Sequence, residues 1–178
     1  MSKISSTVTI GLVANPFSAR DIRRVISNAA GLQVSDRANI VMRVLSAISA
    51  CGVKRVLMMP ENGGIRSFLK RDLQRKQQMG DNCFAELEMT NTPINGTVED
   101  TFAATKAMVD SGVKTIVVLG GDGTHRAVAK VCGQVPIAGI STGTNNAFPE
   151  HREPTITGLA VGLAATGRIP ESVAFTLN

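Results

Sequence analysis

Three glycines, an acid and a hydroxyl stand together at Gly120-Gly121-Asp122-Gly123-Thr124, directly after the β-branched run Thr115-Ile116-Val117-Val118-Leu119. Glycines permit positive φ and let a ligand approach bare N–H groups. A helix opening just beyond, which the sequence places at His125, adds unpaired donors and the positive end of its dipole. Such a turn holds an anion without a lysine. It is not a P-loop, since no Gly-Lys-Ser/Thr follows, and it is not the Gly-x-Gly-x-x-Gly dinucleotide fingerprint. Asp122 is the informative departure. A carboxylate beside a bound anion is repulsive unless it holds a metal or meets an incoming hydroxyl, which points to phosphoryl transfer rather than passive binding. Capping the helix is the other role open to Asp122, and Thr124 has the same choice between its own helix terminus and a phosphate. Because a carboxylate is a weak base towards an alcohol, a catalytic Asp122 would orient the acceptor hydroxyl or hold Mg²⁺ and take the proton late.

A second polar stretch, Ser141-Thr142-Gly143-Thr144-Asn145-Asn146, follows the apolar run Pro136–Ile140. Thr142, Thr144, Asn145 and Asn146 offer hydroxyls and amides to a ribose, a base edge or phosphate oxygens. Turn formation accounts for any one of them, whereas four together favour binding. His125 falls in the first helical turn and reads as a cap or a surface residue. His151, between Glu150 and Arg152, reads as solvated. No His/Cys cluster has zinc spacing and no nucleophile motif is present. Cys51, Cys83 and Cys132 are odd in number and far apart, which fits a reducing interior rather than a disulfide framework.

The surrounding elements must place these loops. Thr7–Ala14 reads as a strand ended by Asn15-Pro16, and Phe17–Gly31 as a helix. Ser35 or Asp36 caps a second helix with the stripe Ala38, Val41, Met42, Leu45 and Ile48, stopped by Gly52. Val53–Met59 is the next strand, Pro60–Gly64 a loop, and Ile65–Met79 a basic helix whose cations are a solvated face. Cys83–Met89 is an edge or half-exposed strand. Thr97–Gly112 is a helix with Thr97 and Asp100 as a capping box and Phe102 and Val109 on one face. After the central strand, glycine turn and helix come the strand Pro136–Ile140, a small-residue helix over Thr155–Gly167, and Ser172–Leu177, a strand only begun. Regular alternation of strand and helix predicts an α/β fold with a parallel sheet and right-handed crossovers. Ligands bind such sheets outside the carboxyl ends of the strands, where Asn15-Pro16, the glycine turn and the Ser141–Asn146 loop should converge on one site.

Composition narrows the ligand. The 178 residues, 43% hydrophobic, suffice for one substantial core, and the net charge of +5 is concentrated in Arg20–Arg24 and Arg66–Lys76. A polyanionic ligand suits that balance. Nucleic acid is the rival to a nucleotide, but the chain has no Trp, no Tyr and no recognisable nucleic-acid-binding module. With neither a leader-type N-terminus nor a run of membrane-spanning length, the expectation is a soluble, cytoplasmic protein, with a homo-oligomer left open.

Gly120-Gly121-Asp122-Gly123-Thr124, preceded by Asn15-Pro16 and followed by Gly143-Thr144-Asn145-Asn146, resembles the NAD kinase and diacylglycerol kinase superfamily. The likeness is nearest to its ATP-NAD kinase-like, acetoin-catabolism branch, where VANPFSARDIRR, GGDGTHRAVA and STGTNNAFPEHREPT have near counterparts, and it covers essentially the whole chain. The resemblance implies a Rossmann-like, three-layer N-terminal domain over residues 1–170, with ATP as donor and a divalent cation. It implies Asp122 as the catalytic carboxylate and Gly120, Gly121, Gly123 and Thr124 around the donor phosphates. Asn145 and Asn146 match the family's second nucleotide-contacting loop, which Thr144 opens, and Asn15 matches the loop after the first strand. In NAD kinases proper the acceptor is the 2′-hydroxyl of the NAD adenosine ribose. Family members continue into a β-rich domain, of which residues 171–178 would be the start and the rest is absent here. The expected function is therefore an ATP-dependent phosphotransferase. The alternative is a catalytically silent nucleotide-binding accessory protein, and lipid phosphorylation is weaker because no segment obviously receives an acyl chain.

Overall fold

The computed structural model describes residues 7–15, 32–81, 83–143 and 152–170. The expected helix Phe17–Gly31, Thr144, Asn145, Asn146 and His151 of the second loop, and the strand Ser172–Leu177 lie outside the described residues.

Five strands, β1 (Thr9–Ala14), β2 (Arg55–Met58), β3 (Glu86–Met89), β4 (Ile116–Gly120) and β5 (Ile137–Ser141), form one sheet in the order β3-β2-β1-β4-β5. Every pairing is parallel. β1 and β4, adjacent inside the sheet, are apolar apart from Thr9 and are buried at every position. That is what a sheet covered on both faces requires. The edge position expected for the third strand holds, although its ladder is confined to Glu86–Met89, and Arg55 on β2 forks onto the carboxylate of Glu88 at 2.9 and 2.7 Å.

Alternation along the strands divides the core in two. Ile10, Leu12, Val56, Met58, Val117 and Leu119 meet α1 (Val34–Ala50), α2 (Ile65–Gln78) and α5 (Pro154–Ala165) on one face. Val13, Leu57, Ile116 and Val118 meet α3 (Val98–Asp110) and α4 (Asp122–Val131) on the other. Three layers result, as expected. The stripe on α1 is the predicted one, with Ala38, Val41, Met42, Leu45 and Ile48 all buried. The small residues of α5 are explained by how close it lies to α1. A Cβ at Gly158 would come within 2.7 Å of the Ala47 Cβ, and one at Gly162 within 2.7 Å of the Cys51 Cβ. The cations of α2 behave as a solvated face whose stems cover aromatic surface, Arg71 lying 4.8 Å from the Phe68 ring centre and Lys76 5.2 Å from that of Phe84.

Several local expectations give way. Gln33, not Ser35 or Asp36, is the N-cap of α1, and Asp36 serves three residues later by accepting from the Gln33 N–H. Thr97 is the N-cap of α3, but Asp100 reaches past it to the N–H groups of Asn95 and Gly96 and so braces the preceding loop. The inward face of α3 is Thr101, Ala104, Thr105 and Met108, with Phe102 and Val109 at its margins. The helix crosses β1 at Gly11, which must stay small because a Cβ there would meet the Met108 sulfur at 2.9 Å.

Candidate functional site

In the strand order, β1 leads to β2 and β3 on one side while β4 and β5 extend on the other, so the sheet reverses between β1 and β4. The crevice outside the carboxyl ends of two such strands is where doubly wound sheets hold ligands. Register pairs Ala14 with Leu119, which brings Asn15 alongside Gly120. β5 ends level with them, Gly120 pairing with Ser141 and the Thr142 N–H donating to the Gly120 carbonyl at 3.0 Å. Asn15, the glycine turn and the start of the Ser141–Asn146 loop therefore share one edge.

The glycine turn differs from the sequence reading in an instructive way. α4 opens at Asp122, three residues before His125, with Gly121 as N-cap in extended conformation (φ −90, ψ −179). Gly120, Gly121 and Gly123 do not take positive φ, unlike Gly52, Gly112 and Gly133 just past the C-terminal ends of α1, α3 and α4. The turn is made by the helix starting early, not by left-handed backbone. Gly120 is dictated by packing, since a Cβ there would lie 2.5 Å from the Thr124 Cβ and 2.7 Å from its Oγ1. Gly123 is not, because a Cβ there would meet nothing within 4 Å. The fold leaves that stretch of first-turn backbone open without needing it.

Asp122 is half-buried at the first helical position, where a carboxylate is favoured by the dipole, and it is engaged by a neighbouring group. Thr124 is buried against Gly120, and its N–H bonds to the Gly121 carbonyl at 2.9 Å. His125 is neither cap nor surface residue. Its Nε2 lies 3.2 Å from the Val118 carbonyl and packs over Gly139, where a Cβ would come within 2.8 Å, so the ring fastens α4 to β4 and β5. Thr142, 4% exposed, keeps its Oγ1 without a hydrogen-bond partner among the described residues.

Two residues at this edge escaped the sequence reading. Arg37 is 3% exposed and its Nη1 donates to the Asn15 carbonyl at 3.0 Å. Its signal was a cation one helical turn before Val41 on the apolar stripe of α1. Glu61 is buried and accepts from the N–H groups of Gly63 and Arg66 after β2, as Asp100 does for the loop after β3. Both carboxylates line a small cavity with Asn15, Pro60 and Ile94. A buried acid beside glycines just past a strand was the available sign. Among the described residues no three His, Cys, Asp or Glu side chains group as a metal site, and no helix is long and apolar enough to cross a membrane.

A three-layer parallel sheet with a glycine–acid helix start at its reversal point defines a Rossmann-like α/β domain. Residues 10–169 match the model of the ATP-NAD kinase N-terminal domain, and the chain belongs to that family. It is 57% identical over 169 residues to acetoin catabolism protein X of Cupriavidus necator, an alignment covering 95% of this chain and 47% of that protein. The chain thus spans about half the length of the curated relative it matches. No solved structure matches it significantly.

Proposed function

We propose that this chain forms the donor-binding part of an ATP-dependent phosphotransferase that phosphorylates a nucleotide hydroxyl, the 2′-hydroxyl of NAD being the leading acceptor. The observation that carries the reading is the open backbone at Gly123 in the first turn of α4, beside Asp122 and across the crevice from Asn15. Membership of the ATP-NAD kinase family supports the reaction class.

In this reading the N–H groups of the turn and the α4 dipole receive the donor phosphates. ATP supplies the phosphoryl group, and the divalent cation would travel with it on the phosphate oxygens. Asp122 is the carboxylate that would orient the acceptor hydroxyl. The acceptor oxygen bonds to the γ-phosphorus as the bond to the β–γ bridging oxygen breaks. ADP leaves, and the acceptor proton passes late to Asp122. Thr142 can donate its unused hydroxyl to the ligand. Thr144, Asn145 and Asn146 extend that contact in the proposal, and residues 171–178 lead into the second, β-rich domain.

The test is NADP formation from ATP, Mg²⁺ and NAD by the full-length protein and its Asp122→Asn variant. The reading expects turnover in the wild type and, in the variant, ATP affinity within a few-fold of wild type with at least about a hundredfold loss of kcat. Equal turnover in the variant would reduce Asp122 to a cap. Tight ATP binding by a wild type inert towards NAD and other nucleoside acceptors would return the silent, accessory reading.

A further inference from the structure

We propose that Arg37 supplies the buried positive charge of the nucleotide site and positions its first loop, an inference that rests on the ATP-binding reading above. Arg37 is the one Lys or Arg side chain that is buried among the described residues. It stands in the first turn of α1, where the helix dipole disfavours a cation, and it occupies the face that carries Val41, Val44 and Ile48 into the core. Desolvation and dipole both oppose it there, and an aliphatic side chain would serve packing better. Its contact shows what the placement achieves. Nη1 holds the Asn15 carbonyl at 3.0 Å, at the carboxyl end of β1 and one strand from Gly120.

The glycine turn has no Lys or Arg from Gly120 to His125, and Arg126 beyond it is exposed, so within the turn backbone partial charges work against the Asp122 carboxylate. Adjacent strands lie about 4.8 Å apart, which puts the guanidinium within roughly 10 Å of Gly120, where the turn starts. At that range a buried charge is screened less than a surface one, and its effect grows with the number of phosphates on the ligand. Hydrogen bonding to Asn15 also fixes where the chain leaves β1. Arg37 and Asn15 make further contacts, and the proposal needs neither to be without a partner.

The experiment is calorimetric titration of full-length wild type, Arg37→Met and Arg37→Lys with ATP, ADP, AMP and adenosine, with Tm recorded for each protein. Arg37→Met should lose about tenfold or more in ATP affinity, progressively less for ADP and AMP, and nothing for adenosine. Arg37→Lys, which keeps the charge, should hold the ATP-to-adenosine ratio within about threefold of wild type. Equal losses for all four ligands would mark Arg37 as merely structural and overturn the proposal, as would an unchanged ATP affinity in Arg37→Met. Should Arg37→Met fail to fold, Arg37→Lys decides the matter, a collapsed ATP-to-adenosine ratio counting against the proposal. Wild-type protein that binds none of the four overturns the nucleotide reading and this inference with it. A flat Arg37→Met profile beside a binding wild type overturns this inference alone.

Discussion

Gly120 and Gly123 are interchangeable as letters and opposite as residues. A methyl at 120 collides with Thr124, so Gly120→Ala should destabilise by about 1–3 kcal/mol, read as a fall in the urea midpoint. A methyl at 123 meets only open space inside a helical turn, so Gly123→Ala should stabilise by about 0.4–1 kcal/mol. The same change should weaken ATP binding if phosphate sits against that backbone. A variant more stable and no weaker at binding would show the opening to be idle. Thr142→Val makes a parallel case, since it removes a buried hydroxyl that has no partner among the described residues. It should leave stability unchanged or raise it by about 1 kcal/mol while lowering nucleotide affinity, measured by denaturation and titration of the same protein. Residue types were legible at all three positions. Their environments were not, because the Gly120–Thr124 clash exists only once the helix has begun at Asp122.

The elements were read more securely than their ends. Apolar runs fixed β1 and β4, and the 3.6-residue stripe fixed α1, because burial on two faces and on one face leave different periods in a sequence. Thr97 caps α3 as its type suggests, whereas the cap of α1 was misread, since Ser35 and Asp36 are better cap types than Gln33 and only the path of the preceding loop selects it. The α1–α5 contact was visible only as an abundance of small residues in α5. Its cause is backbone approach at Gly158 and Gly162, so either residue changed to Ala should destabilise by about 1–3 kcal/mol, checked by thermal melting. At the sheet edge, the hydrogen bond from Arg55, aided by its charge, holds the Glu88 carboxyl below the usual carboxylate range. A lowered folded pKa contributes stability that is present above the unfolded pKa and is lost as pH falls through the folded one. The pair is exposed, so the effect should be small. The Tm gap between wild type and Glu88→Gln should be open near neutral pH and close as the solution is acidified below about pH 4, and a gap indifferent to pH would dissociate the two groups.

At the scale of the molecule, strand–helix alternation led to parallel pairing, and parallel pairing led to the shared carboxyl edge, since right-handed crossovers leave few other routes. The reversal between β1 and β4 was not legible. Neighbour order depends on which crossover passes over which strand, and no local pattern records that choice. Arg37 was missed for a related reason, its meaning depending on α1 covering the end of β1. The central claim is that a nucleotide's phosphates sit on the backbone opened by Gly123. It is tested most directly by thermal unfolding of the full-length protein with Mg·ATP, wild type against Gly123→Val. Wild type should gain roughly 2.7 kcal/mol at a hundred times Kd, and the folded variant, its opening filled, less than half of that at the same ligand concentration. Equal stabilisation of the two proteins, or none of either by any nucleotide, would contradict the account.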